Sequence, residues 1–80
     1  HGITTVYQNG LRWATIPYVD GRRSGTEKRY REGELLVEEV EWSNGQKHGS
    51  FYTYIGDTVT VKWFYQGKAV SKFAFDEAVR

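Results

Sequence analysis

The sequence predicts an all-β fold, an antiparallel meander of stacked hairpins with about seven strands. Thr, Val and Ile together number 18, and aromatic residues make up 16% of the 80 residues. These are the side chains that fit a pleated, half-buried surface. The nine glycines also recur in a fixed register along the chain. We expect a single domain, residues 1–80, and the absence of Cys excludes a disulfide framework.

The glycines fall into three sets of three, and members of a set lie 22 to 24 residues apart. The sets are Gly2, Gly25, Gly49; Gly10, Gly33, Gly56; and Gly21, Gly45, Gly67. Aromatic residues keep the same register, in the sets Tyr7, Tyr30, Tyr54 and Tyr18, Trp42, Phe64. A fixed period of this kind is the signature of a repeat protein. It predicts repeat units at about residues 2–24, 25–48 and 49–67, with a C-terminal cap at 68–80.

Each unit is predicted to hold two strands joined by a tight turn. In the first unit, strands at Ile3 to Gln8 and Leu11 to Val19 flank the turn Asn9-Gly10, and Asp20-Gly21 turns the chain again. Asn-Gly between alternating apolar residues is a strong hairpin signal, because a type I′ turn needs φ > 0 at both central positions. We therefore expect positive φ at Gly10, Gly33 and Gly45.

The second unit repeats this pattern with one more residue. Strands are predicted at Thr26 to Arg31 and at Glu34 to Trp42, around Glu32-Gly33, and Asn44-Gly45 follows. Trp42 follows Gly33 by nine residues, whereas the corresponding aromatic residue follows its glycine by eight in the first and third units. The apolar residues between Gly33 and Trp42 also switch parity. An extra residue together with a parity switch predicts a β-bulge near Glu38-Glu39.

The third unit is predicted to hold strands at Ser50 to Ile55 and Thr58 to Tyr65 around Gly56-Asp57. After the turn Gln66-Gly67, a last strand at about Lys68 to Phe75 closes the series, with at most a short helical turn near Asp76 to Val79. A small SH3-like barrel is the alternative fold, since the run from Gly56 to Trp63 would suit a barrel strand. That alternative leaves the three-fold glycine spacing unexplained.

Residues Gly25 to Tyr54 read G-x4-Y-x2-G-x-L, then E-x2-W-x-N-G-x-K-H-G-x4-Y. This pattern resembles the bacterial variant of the MORN repeat, and the resemblance extends over about residues 1–67. It implies an elongated sheet of stacked hairpins. Members of that family serve as scaffolds, protein-binding arrays or lipid binders, and some bacterial variants carry an antitoxin label. The third unit departs from the pattern at Ile55-Gly56-Asp57 and after Gln66-Gly67, and the tail 71–80 does not match it, as expected of a terminal cap.

Few residues in the chain could carry acid–base or metal chemistry. The two histidines are His1 at the terminus and His48 in the linker before Ser50, and no Asp nearby would orient His48 as a base. A structural zinc site needs four nitrogen or sulfur ligands, which two His without Cys do not supply. The glycines are spaced for turns and do not open a phosphate-binding helix. We therefore expect no enzyme activity, no cofactor and no metal.

The charges argue against nucleic acid as a partner and disfavour a membrane lipid. Lys and Arg number 11 and Asp and Glu number 10, for a net charge of +1. A basic cluster around Tyr30 (Arg22, Arg23, Lys28, Arg29, Arg31) is followed by an acidic one (Glu32, Glu34, Glu38, Glu39, Glu41). We expect the two to compensate each other across paired strands. The chain shows no signal peptide and no transmembrane run, and its compartment is not specified.

The aromatic residues are the candidates for a binding site. We expect Tyr30, Trp42 and Tyr54 to form one continuous, partly exposed face, with Trp13 as a further partner-binding residue, because phased residues line up across stacked hairpins. The alternative is that they pack on each other as a thin core. The sequence thus indicates a non-catalytic protein-interaction or scaffold module with an unidentified protein partner. A lipid-binding module and an antitoxin or inhibitor are the alternatives, and self-association through sheet edges is a further option.

Overall fold

The computed structural model describes residues 1–80 as one open antiparallel sheet with a short C-terminal helix. In chain order the strands are β1 (Gly2–Gln8), β2 (Leu11–Val19), β3 (Arg22–Arg23), β4 (Gly25–Arg31), β5 (Leu35–Ser43), β6 (Gln46–Ile55), β7 (Thr58–Tyr65) and β8 (Lys68–Val70). They lie side by side in the order β1-β2-β4-β5-β6-β7-β8, and β3 pairs with β2. The all-β meander is confirmed, and the strand beyond the expected seven is the two-residue β3.

Two-residue turns with positive φ connect most neighbouring strands. Asn9-Gly10 has φ values of 53° and 78°, and Asn44-Gly45 has 53° and 87°. Asp20-Gly21 and Gln66-Gly67 show the same pair of positive angles, as type I′ turns require. Gly33, with φ of 80°, completes the set of three glycines for which positive φ is predicted, and the prediction is confirmed for all of them.

A bulge interrupts the β4–β5 hairpin. Arg29 pairs with Glu38 and the following residue, Tyr30, pairs with Leu36, so Val37 is an extra residue on β5. This confirms the bulge that the sequence predicts next to Glu38. The extra residue reverses the alternation of side chains along β5. Odd-numbered residues of the strand therefore lie on one face before the bulge and on the other face after it.

The structure gives a different reason for the greater length of the middle unit. The β1–β2 hairpin has an equivalent bulge, with Trp13 as its extra residue. Since both hairpins bulge, the bulge does not account for the additional residue. The turn does: Arg31 pairs with Leu35, so Glu32, Gly33 and Glu34 form a three-residue turn where the first hairpin has two.

The C-terminal segment is a helix where the sequence predicts a strand. The strand expected over Lys68 to Phe75 ends at Val70, and helix α1 (Lys72–Ala78) follows. Ser71 caps this helix, since its hydroxyl accepts a hydrogen bond of 3.0 Å from the backbone N–H of Ala74. The prediction of a long last strand is wrong because this cap ends the extended backbone. No helix in the structure is long and apolar enough to cross a bilayer.

The sheet forms a single layer, 42 × 36 × 14 Å. Only four of the 80 residues are buried, namely Ala14, Ile16, Glu27 and Val40. All four lie on β2, β4 and β5 in the middle of the sheet. A layer this thin has almost no enclosed core, so most of its apolar side chains are shielded on one side only.

Candidate partner-binding surface

The strand pairing divides the side chains between two faces. On the front face, cross-strand partners run from Thr5 through Thr15, Lys28 and Glu39 to Tyr52. On the back face they run from Val6 through Ala14 to Arg29, and from Glu27 through Val40 to Phe51. Because side chains alternate along a strand, residues two apart share a face.

The first two units are joined on the back face by a buried carboxylate. Glu27 is 1% exposed. Its Oε2 accepts a 2.8 Å hydrogen bond from Nε of Arg29, and its Oε1 lies 3.3 Å from Nη1 of Arg23. The guanidinium of Arg29 lies 4.7 Å from the ring centre of Trp13, and that of Arg23 lies 4.9 Å from that of Trp42. One carboxylate thus holds two arginines, each of which covers a tryptophan.

A similar arrangement recurs between the second and third units. Nζ of Lys47 lies 5.0 Å from the ring centre of Phe51 and 5.1 Å from that of Phe64. The backbone bonds repeat as well. Gly45 donates its N–H to the carbonyl of Arg23 at 2.9 Å, and Gly67 donates to that of Lys47 at 2.8 Å. Cation-covered aromatic rings therefore extend along the back face from one unit to the next.

Helix α1 covers one end of the front face. Its Phe75 ring lies 5.1 Å from that of Trp63 and 5.6 Å from that of His48. Nζ of Lys72 lies 4.9 Å from the Trp63 ring centre. These contacts shield the last part of β7 and close this end of the sheet.

The rest of the third unit is open on the front face. Tyr52 faces Val61 across β6 and β7, and Tyr54 faces Val59. The two tyrosine rings are stacked at 6.2 Å, while Val59 is 56% and Val61 46% exposed. Neither the helix nor a cation covers these four residues, which we call the third-unit patch. In this patch, apolar side chains on two adjacent strands lie side by side and are open to solvent.

Tyr54 is anchored to the second unit by its hydroxyl. The O–H donates a hydrogen bond to Oε1 of Glu39 on β5. This bond and partial burial raise the pKa of Tyr54 to about 12, since ionisation would place a phenolate beside a carboxylate. The hydrogen bond to Glu39 holds one side of the patch in position.

His48 packs between β7 and helix α1 in the structure. Its ring lies 5.1 Å from that of Tyr65, and its Nδ1 accepts a 3.2 Å hydrogen bond from the backbone N–H of Gln66. That bond places the ring proton of neutral His48 on Nε2. Ser50 and His48 share the front face, but no hydrogen bond joins them. No cluster of three or more His, Cys, Asp or Glu residues could hold a metal ion.

The predicted site residues do not all share a face. Tyr30 lies on the front face, where the guanidinium of Arg12 covers its ring at 3.9 Å, and Tyr54 lies on the same face. Trp13 and Trp42 lie on the back face under their arginines. The prediction of one continuous face containing Trp42 is wrong, because Trp42 pairs with Gly25 and Lys47 and so has the parity opposite to Glu39. Binding of a partner by any of these residues stays a prediction.

Sequence reasoning did not identify three residues that define these surfaces. The sequence shows by simple alternation that Val59 and Val61 share a face. Their exposure depends on how far helix α1 extends over that face. Glu27 belongs to the run of charges around Tyr30 and is not distinguished from its neighbours by type. Its isolated position between two cations, at Arg23 and Arg29, is the only signal of its role.

Comparison with known proteins finds no matching family model, no matching curated protein and no matching solved structure.

Proposed function

We propose that this chain is a non-catalytic protein-interaction or scaffold module built from MORN-like repeats, and that its partner binds the third-unit patch. The observation that carries the proposal is the exposure of Val59 and Val61 beside two stacked tyrosines. Contiguous apolar surface of this kind marks interaction sites in soluble proteins. Tyrosine, in addition, is enriched among the residues that dominate binding energy.

The surroundings of the patch favour a protein partner over a membrane. The front face next to it carries Glu39 and Lys28 as a cross-strand pair, so charges of opposite sign adjoin the patch. A surface that binds anionic lipid gains about 1 kcal/mol from each basic residue near the membrane, whereas Lys28 is paired here with a carboxylate, Glu39. An apolar centre with mixed charges at its rim is the usual composition of a protein interface.

The test uses a pair of conservative substitutions in the patch. Val59→Thr combined with Val61→Thr keeps the shape and strand preference of both side chains but adds a hydroxyl to each. Thr60→Ser, on the back face between them, is the control. Partners captured from the native host with wild-type protein are identified, purified and titrated against all three proteins by calorimetry. We expect the double variant to bind at least about tenfold more weakly, a loss of roughly 1.4 kcal/mol.

Two results would contradict the proposal. One is a purified partner that binds the double variant as tightly as the wild type, since the patch would then not be the contact. The other is flotation of the wild-type chain with anionic vesicles that the double variant abolishes, which would assign the patch to lipid. Circular dichroism of each variant, matched to the wild type, shows that the sheet is intact.

A further inference from the structure

The outer edge of β7 is paired along only part of its length. β8 pairs with the last three residues of the strand, Trp63 to Tyr65, whereas Thr58 to Lys62 pair with β6 alone. Solvent exposure changes at the same point, since Thr58 to Lys62 are exposed and the residues that follow in β7 are half-buried. A row of unpaired backbone groups therefore lies at the edge of the third unit.

Helix α1 is the reason that this part of the edge is open. If β8 continued in the register of its last pair, Ser71 to Phe75 would lie opposite Lys62 to Thr58 and would cover the edge. Ser71 instead caps the helix, and Phe75 packs on the front face of β7 against Trp63. The edge is thus left open where the chain changes from strand to helix, and its length is that of an ordinary strand.

The turns at the two ends of β7 show which of its backbone groups point outward. Thr58 directly follows the two-residue β6–β7 turn, and Tyr65 directly precedes the two-residue β7–β8 turn. Residues in these positions exchange hydrogen bonds with their partner across the turn. Thr58 therefore directs its N–H and C=O toward β6, and Tyr65 directs its own toward β8. Alternation from either end gives the same result, that Val59 and Val61 direct theirs out of the open edge.

The same two valines present both kinds of group that an extended partner needs. Their side chains belong to the third-unit patch, and their free backbone groups lie along its border. An added strand would bond these backbone groups and lay every second side chain beside the patch, whereas a helix would leave the groups bonded only to water. The segment Thr58 to Val61 is also β-branched throughout, and the open edge has no Pro and no bulge to prevent pairing.

The charges around this edge favour a strand from a different, acidic partner. Strands β6, β7 and β8 contain Lys47, Lys62 and Lys68 and no Asp or Glu. Asp57 in the β6–β7 turn is the one acid beside them in the third unit, and the two carboxylates of helix α1 are paired within the C-terminal segment. A second copy would bring the same excess of lysines to the edge, and like charges that meet across strands are destabilising. An acidic side chain opposite Lys62 would instead complement it.

We propose, on the basis of the proposed function, that the partner binds the third-unit patch by adding an extended segment to the open edge of β7 from Thr58 to Lys62. The segment runs antiparallel to β7, the slightly more stable pairing. Two of its residues, both apolar, lie opposite Val59 and Val61, exchange N–H and C=O bonds with them, and face the patch. An acidic residue lies opposite Lys62 on the back face.

The test uses a synthetic peptide with this pattern, acetyl-Glu-Val-Thr-Val-Thr-amide, titrated into the ¹⁵N-labelled full chain and followed by nuclear magnetic resonance. At saturation it should slow hydrogen exchange of the Val59 and Val61 amides by about tenfold or more. The amides of Thr60 and Lys62 point toward β6 and serve as the internal control. The same peptide with both valines N-methylated keeps every side chain but loses the two backbone donors, and it should bind at least about tenfold more weakly. Lysine in place of its glutamate should weaken binding by roughly two- to fivefold.

Three results would overturn the added strand. The first is a peptide that binds without protecting the Val59 and Val61 amides, or equally well when N-methylated. The second is no binding at millimolar peptide. The third is protection of both amides in the free chain that grows with its concentration, which would assign the edge to a second copy. The proposed function fails separately, in the calorimetry of Val59→Thr with Val61→Thr, because those substitutions change the side chains of the patch and leave the backbone groups of the edge in place.

Discussion

Nε of Arg29 donates a 2.8 Å hydrogen bond to Oε2 of Glu27, and Glu27 is the only charged side chain that the sheet buries completely. Both residues lie on β4, which shares only two paired positions with β2 of the first unit. Arg23 completes the site from the short strand β3. In a sheet with so little core, a single carboxylate thus connects β4 of the second unit with β3 of the first.

Glu27→Gln should destabilise the chain strongly. The amide keeps the shape of the side chain but removes the carboxylate that pairs with Arg23 and the nearer of the two carboxylates beside Arg29. We expect a loss of about 3 kcal/mol in the free energy of unfolding, measured by urea denaturation followed by tryptophan fluorescence. Glu38→Gln is the control, since Glu38 lies 3.9 Å from Arg29 and is more than a third exposed. It should cost about 0.5 kcal/mol, and equal losses in the two variants would contradict the role of Glu27.

Gly45→Val should weaken the turn between β5 and β6. Gly45 has φ of 87°, a conformation that strains a β-branched residue by about 1–2 kcal/mol. Asn tolerates positive φ much better, so Gly45→Asn should lose less than half as much. Thermal denaturation of the two variants compares these losses. A valine variant as stable as the asparagine variant would show that the turn does not constrain the backbone.

The turns and most of the strands are predictable from the sequence because their signals are local. Asn9-Gly10 and Asn44-Gly45 encode their own geometry, and Leu11–Val19 and Thr58–Tyr65 begin and end as expected. The face occupied by Trp42 follows from a less local signal, the parity switch that predicts the bulge in β5. This face depends on the bulge at Val37, which changes the parity of β5. The equivalent bulge at Trp13 gives no signal in the length of its unit, because that unit has the ordinary number of residues.

Tyr54→Phe should remove a stabilising interaction that depends on pH. The folded pKa of Tyr54, about 12, lies above the ordinary tyrosine pKa of 10.0. The stabilisation is therefore fully present below pH 10 and is lost as pH rises through about 12. Tyr54→Phe should lower the free energy of unfolding by about 1 kcal/mol at pH 7. The difference in this free energy between the variant and the wild type should shrink toward pH 12.

Absorbance at the tyrosinate band tests the assignment directly. The difference in absorbance between the wild type and Tyr54→Phe should show one group that titrates near pH 12. Tyr52→Phe is the matched control, because Tyr52 stacks on Tyr54 but makes no side-chain hydrogen bond within the chain. A Tyr54 that ionises near pH 10 would mean that the bond to Glu39 does not form in solution.

Two phenylalanines of helix α1 provide a matched pair. Phe75 packs against Trp63 and Tyr65, whereas Phe73 is 75% exposed. Phe75→Ala should cost about 2 kcal/mol, below the range for a fully buried ring because Phe75 is only half-buried. Phe73→Ala should change stability by about 0.5 kcal/mol or less. The measurement is guanidinium denaturation, and equal effects would show that the helix does not dock through Phe75.

The arrangement of the sheet as one open layer, with Trp42 and Tyr54 on opposite faces, underlies every proposal above. Proton–proton Overhauser contacts in the ¹³C- and ¹⁵N-labelled chain test it most directly. We expect contacts from the Trp42 ring to the side chain of Arg23, from Trp13 to Arg29 and from Tyr54 to Val59, and none between Trp42 and Tyr54. Contacts between the Trp42 and Tyr54 rings would place them on one side of the sheet or inside a closed barrel, and would contradict the account.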